Sequence, residues 1–279
     1  MQSIAEHIYY EDSFAGVTLG AITMPKGTLM IDTPFRSDEA RTWKAALLTQ
    51  SRGTHRLIVT LDSHTDRLLG CRAIEYPILM HHDAAALFKD RPAIFKGHNT
   101  ERGAEWEQHL EVTGTHWARP NMTYQQQMHL HWGDDEIQIE HRPGPSPGAS
   151  WVIIPSQQII FVGDAVIPNQ PPFLALANIE SWVETLNLLC SRKFRDYTIV
   201  GGRSGIITLE DVREQRKILK SIQGRMATLS KRKSQPEDTI KLVVPLLKKY
   251  SYPAKHETFY AQRLSYGLAA YYARFYGQD

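Results

Sequence analysis

Apolar and polar positions alternate early in the chain. Residues 14–33 (FAGVTLGAITMPKGTLMIDT) form two β-branched and apolar runs on either side of Pro25-Lys26-Gly27, which predicts a hairpin ending in an aspartate. Ser37 to Gln50 follows with an N-cap candidate, acidic residues at 38 and 39, and Trp43, Ala46 and Leu47 at helical spacing. HRLIVT (55–60) reads as a buried strand. ILMH (78–81) reads as another, entered from Glu75-Tyr76-Pro77 and followed by a helical stretch near Asp83.

The second half repeats the theme. Residues 89–120 are polar, broken by Gly and Pro and too long for a simple connection, so they read as an insertion or lid. Met128 to Ile139 predicts a hairpin turned at Gly133-Asp134. WVIIPSQQIIFVGD (151–164) gives two strands joined between Pro155 and Gln158, SWVETLNLLCS (181–191) an amphipathic helix, and DYTIVGG (196–202) a strand ending in glycines. From Leu209 the pattern is helical, with breaks at Ser234-Gln235-Pro236 and Ser251-Tyr252-Pro253. The last helix carries an aromatic stripe (Tyr260, Tyr266, Tyr271, Tyr272, Phe275, Tyr276) suited to covering the domain's own core or a partner chain. The order predicts an α/β fold of two sheets with helices outside, a domain over 1–209 and a helical extension over 210–279 packed on it.

Composition narrows the setting. A chain of 279 residues, 42% apolar and 22% charged, folds around its own core without disulfides or a structural metal. Cys71 and Cys190 are far apart and lack metal or redox spacing, and no run of 18 apolar residues or secretory leader pattern occurs. The expectation is a cytoplasmic protein with no membrane partner. Net charge is only +2, but residues 212–255 hold twelve Lys/Arg against three Asp/Glu. With few interleaved aromatics, that segment reads as a solvated helix face or homo-oligomer contact in preference to a nucleic-acid surface. Of the 12 histidines, none falls between 142 and 255.

Chemistry gathers at LIVTLDSHTDRLLG (57–70), where a strand ends and opens toward a helix. The stretches TLDSHTDR (60–67), GPSPGA (144–149), FVGDAV (161–166) and VGGRSG (200–205), in this order, resemble the metallo-β-lactamase superfamily from about Phe14 to Asp211. That family carries Thr-His-x-His-x-Asp at a strand end, then Gly-His-(Thr or Ser)-Pro-Gly-Ser, Gly-Asp and Gly-His-Gly. The resemblance implies a four-layer αββα sandwich and metal-assisted hydrolysis. Position by position it also implies a depleted site. Asp62 replaces the first histidine, while His64 and Asp66 are kept and Arg67 follows. Pro145 replaces the third histidine, Asp164 is kept, and Arg203 replaces the last histidine. The histidine-free stretch means that no shift of register restores the ligands missing at 145 and 203.

Two readings follow from those residues. Asp62, His64, Asp66 and Asp164 could hold one Zn, Mn or Fe ion, though not a zinc pair, with His64, Asp66 and Asp164 catalytic and Asp66 orienting the nucleophile. Alternatively Arg67, Arg203 and a protonated His64 balance three carboxylates with no metal, and this charge balance favours the metal-free reading. Arg67, Arg203, Ser146 and Ser204 are the candidates for binding a small anionic molecule. The function expected is a hydrolase-like protein with a diverged site. The alternatives are an inactive binding or scaffold protein with an arginine-lined cleft and, further off, a nucleic-acid-processing relative.

Plainer roles compete for several of these residues. Asp62-Ser63 could only N-cap a helix. Of the adjacent His81 and His82 at most one can face inward, and His141 reaches the site only if its loop bends. The Gly144–Gly148 loop and Gly201-Gly202 read as tight turns, since neither has phosphate-loop spacing. Ser63, Ser146 and Ser204 lie outside any GxSxG nucleophile motif.

Overall fold

The computed structural model describes residues 1–50, 53–89, 91–97 and 102–277, so positions 90 and 98–101 of the 89–120 excursion lie outside the described residues. Short strands joined by tight turns begin the chain: β1 (Gln2–Ala5), β2 (Ile8–Glu11), β3 (Leu19–Met24) and β4 (Gly27–Ile31) form an antiparallel meander. The Pro25-Lys26 turn sets its register, pairing Met24 with Gly27. β5 (His55–Val59), β6 (Ile78–His81) and β7 (Met122–Tyr124) then add in parallel, completing a seven-stranded sheet in chain order.

Parallel pairing requires crossovers. They are supplied by α1 (Ser37–Leu48), α2 (Cys71–Ile74), and α3 (His82–Ala86) with the excursion after it. Trp43 and Leu47 of α1 and Ile74 of α2 pack on Met30 and Ile58 from the sheet's outer face.

The second sheet holds β8 (Gln127–Leu130), β9 (Ile137–His141), β10 (Ser150–Ile154), β11 (Ile159–Phe161), β12 (Thr198–Val200) and β13 (Ile206–Ile207), neighbours in chain order. Only β11 and β12 pair in parallel, across α4 (Ile179–Leu189). Ile22, Leu29 and Val59 of the first sheet meet Ile139, Val152 and Phe161 of the second in a core between the sheets. Strand alternation then sends Trp151, Ile153 and Ile160 to the far face, under α4, α5 (Leu209–Lys231), α6 (Val243–Leu247) and α7 (Glu257–Tyr276). The layers run αββα.

Most of the aromatic stripe of α7 covers the protein's own core, with Tyr260, Tyr271 and Tyr272 buried beside Leu264 and Leu268. Tyr266 and Phe275 remain exposed. In the basic segment Arg213, Lys217 and Lys241 each pair with an acidic residue three positions earlier on an exposed face. Such pairs add only tenths of a kcal/mol and mark a solvated surface.

Candidate functional site

Parallel strands end at one rim of the sandwich, and the side chains just past β4, β5, β11 and β12 converge there. Asp32 follows β4, Asp62 follows β5, and Asp164 and Arg203 follow β11 and β12. Asp32 has a positive φ of 59° and accepts the Leu61 N–H at 2.8 Å. Asp62 does not cap a helix; its Oδ1 accepts the His64 N–H at 2.9 Å and folds the chain into a short turn over Thr65–Arg67. The Thr33 hydroxyl donates to the Arg67 carbonyl at 2.8 Å, which holds that turn with the Arg67 side chain inward.

Arg67 is the hub. Its guanidinium donates from Nη1 to Asp32 Oδ2 at 2.6 Å, lies with Nε 3.1 Å from Asp62 Oδ2, and donates from Nη2 to Asp164 Oδ1. The side chain has no exposure at all. Gly202 makes the space, because a Cβ there would stand 2.3 Å from Arg67 Nη2. The glycine pair after β12 is thus a tight turn with a second purpose. Arg203 continues the network: Nε donates to Asp164 at 2.9 and 3.0 Å, and Nη1 donates to Asp66 Oδ2 at 2.7 Å and the Gly16 carbonyl at 2.9 Å. Asp66 Oδ1 accepts the Trp106 N–H at 3.1 Å, which ties the short turn Glu105–Gln108 to the site.

The charges shift one another accordingly. Burial pushes Asp32 up to about 6 despite the pull of Arg67. Burial would also raise Asp164, but Arg203, Arg67 and His64 overcome it and hold that carboxyl well below the usual range. Burial weakens the hold of Arg67 and Arg203 on their protons, yet the carboxylates around them more than reverse this.

Metal fit can be judged from the same distances. Asp62, His64 and Asp164 offer ligand atoms within 4.8 Å of one another, close enough to share an ion. Those carboxylates already surround a fixed cation, since Arg67 contacts both and Arg203 takes both oxygens of Asp164. A divalent ion would sit against two buried guanidinium groups. While Arg67 holds its place, the donor set does not fit a metal.

No protein-family model and no curated protein sequence matches this chain. Solved structures do match. The stereoselective inverting sec-alkylsulfatase Pisa1 from Pseudomonas sp. aligns with a TM-score of 0.71 at 14% identity, over 99% of this chain and 50% of that one. A metallo-β-lactamase family protein from Thermus thermophilus aligns with a TM-score of 0.64 at 14% identity, over 98% and 94%. A metallo-β-lactamase from Pontibacter korlensis gives 0.60 at 16%, over 78% and 97%. The chain has the metallo-β-lactamase fold. It spans half the length of the alkylsulfatase, and at these identities the likeness is one of fold.

Within the metallo-β-lactamase fold the sequence candidates divide. Asp62, His64, Asp66, Arg67, Asp164 and Arg203 are brought together, and His64 lies 3.7 Å from Asp164 and against the Phe173 ring. Two expectations need correction. Arg67 and Arg203 do not line an open cleft: their side chains are 0% and 1% exposed and are directed at carboxylates. Ser146 and Ser204 do not join the pocket beside His64, and the Ser146 hydroxyl is buried without a hydrogen-bond partner among the described residues. His81 and His141 form a separate stacked pair, centroids 3.8 Å apart, while His82 is exposed.

Sequence reasoning missed Asp32 and Arg263. Asp32 had a signal, as an aspartate ending a strand like Asp62 and Asp164. Arg263 had one too, lying at helical spacing inside the stripe Tyr260, Leu264, Gly267, Leu268 that faces the core.

Proposed function

We propose that this is a metallo-β-lactamase-fold protein in which an arginine–carboxylate network stands in place of a metal centre, and that it binds a small anionic molecule without hydrolysing it. The observation that carries this reading is the Arg67 guanidinium lodged among Asp32, Asp62 and Asp164. A hydrolase of this architecture needs an activated water at that place, and activation of water by a metal depends on open coordination positions. Here the carboxylates instead neutralise fixed cations, and neither Asp66 nor Asp164 keeps an oxygen without a donor.

The network then has a structural role. It ties the ends of four strands from both sheets to the excursion and keeps the rim rigid beneath the pocket at His64. The test is metal content of the purified protein, together with turnover of phosphodiester, thioester, lactone, β-lactam and alkyl sulfate substrates in the presence of added Zn, Mn or Fe. The expected result is substoichiometric metal and no turnover above background. Stoichiometric metal, or turnover abolished by Asp164→Ala, overturns the proposal and restores the mononuclear hydrolase.

A further inference from the structure

Above the network, α7 delivers one more arginine, and its surroundings differ from those of Arg67 and Arg203. Arg263 is 3% exposed, yet every acceptor it meets is neutral: the Gly103 carbonyl at 2.8 Å, Gln170 Oε1 at 3.0 Å and the Pro171 carbonyl at 2.9 Å. These bonds use Nε and Nη1, and Nη2 makes no hydrogen bond among the described residues. The guanidinium stacks on one face of Phe173 at 4.0 Å, and Arg203 lies 4.6 Å from the same ring. A buried cation with no carboxylate in hydrogen-bond contact among the described residues, and with a second cation nearby, is costly to fold and favours an incoming anion. Burial foremost, with Arg203 adding to it, lowers the Arg263 pKa to about 10.

The site is built around this side chain. Gly103, with a φ of 69°, lies so close that a Cβ there would stand 2.6 Å from Arg263 Cβ. Gly267, one turn further along α7, brings the helix against Leu174, where a Cβ would be 3.1 Å from the leucine side chain. The result is a pocket lined by His64, Arg102 and Arg263, with Phe173, Leu174 and Tyr266 as its apolar walls and no acidic residue among the described residues that line it. Its cavity volume is about 10 Å³, room for about one water molecule or one ligand oxygen, and Arg102 is exposed beside it.

We infer that this pocket binds an amphiphilic organic anion, a carboxylate or sulfonate on a short hydrocarbon body. One anionic oxygen takes this cavity at Arg263 Nη2, Arg102 neutralises the outer side of the head group, and the hydrocarbon lies along Leu174 and Tyr266. The inference rests on the binding reading of the site and gives it a ligand class and a principal residue, Arg263.

The experiment is thermal shift and calorimetry on the intact protein with hexanesulfonate and hexanoate, against hexanol, hexyltrimethylammonium and inorganic sulfate. The two organic anions are expected to raise the melting temperature, with the alcohol and ammonium inert. Arg263→Met should abolish the shift. Should that variant fail to fold, the exposed Arg102→Ala serves, expected to weaken binding by about fivefold, as suits one solvent-exposed charge. Equal shifts with hexanol, an unchanged affinity in Arg263→Met or Arg102→Ala, or no shift with either anion overturns the inference. Metal content measured on the same sample separates the two ideas. A metal-free protein that ignores these anions refutes only the ligand class, whereas stoichiometric metal refutes the binding reading beneath it.

Discussion

Replacing Arg67 with Met keeps most of the side-chain volume and removes the charge. Asp164 retains two hydrogen bonds from Arg203, so the carboxylates left without a cation are Asp32 and Asp62, each accepting a single backbone N–H among the described residues. A stranded buried carboxylate escapes by taking a proton, and at pH 7 that costs about 4 kcal/mol for a group whose unfolded pKa is about 3.9. Asp32, already raised to about 6, carries roughly 3 kcal/mol of this cost in the native protein. The added penalty is therefore about 4 kcal/mol for Asp62 and about 1 kcal/mol for Asp32. This agrees with the ~3–5 kcal/mol typical of breaking a buried pair from one side.

In a chain of this size that is a fall in melting temperature of very roughly 10–20 °C. The pH dependence is the sharper signature. Carboxyl groups that are neutral in the folded state bind more protons there than in the unfolded chain, so acidification stabilises the fold until the unfolded pKa is reached. Between pH 7 and pH 5 the gap between variant and parent should narrow by about 4 kcal/mol, most of it from Asp62 and about 1 kcal/mol from Asp32. Urea unfolding followed by circular dichroism at both pH values measures it. Arg67→Lys keeps a point charge that cannot reach three carboxylates and should fall between the two. A variant within about 0.5 kcal/mol of the parent at pH 7, or a gap that does not narrow on acidification, refutes the network as described.

Gly202→Ala drives a methyl group into the Arg67 guanidinium and within 2.8 Å of the Gly163 carbonyl carbon. It should destabilise by about 3 kcal/mol or more through the same network, which a denaturant titration beside Arg67→Met will show. Burial, with His81 stacked on it, lowers His141 to about 4 from the usual 6.5. The unfolded chain therefore binds the extra proton first, and stability present above pH 6.5 is lost as the pH falls toward 4. His141→Phe should flatten that part of the stability curve, and an unchanged curve would show that the pair does not titrate as described. Prolonged dialysis against EDTA should leave the melting temperature unaltered, whereas a drop of several degrees would show that a bound metal supports the fold.

The sequence alone determined the architecture and six members of the charged cluster, though not Asp32. Strand alternation, the turn at Pro25-Lys26 and the helical stripes are local properties, and they predict the hairpins, the crossovers and the α7 face that the structure contains. The order of four short motifs placed Asp62, His64, Asp66, Arg67, Asp164 and Arg203 at one rim, because parallel strand ends bring such positions together whatever lies between them.

Tertiary structure alone decided what those residues do. Charge counting set Arg67 and Arg203 against three carboxylates but also left them as candidates for holding an anion. Their burial, the gap left by Gly202 and the extra carboxylate of Asp32 turn them inward, since a guanidinium removed from water must find carboxylates within hydrogen-bond reach. Arg263 lies some sixty residues from Arg203 in sequence and meets it across Phe173. That meeting depends on how a C-terminal helix packs over a distant loop. Packing of this kind is a property of the whole fold: the helical stripe around Arg263 shows that it faces the core, and only the fold decides what it meets there.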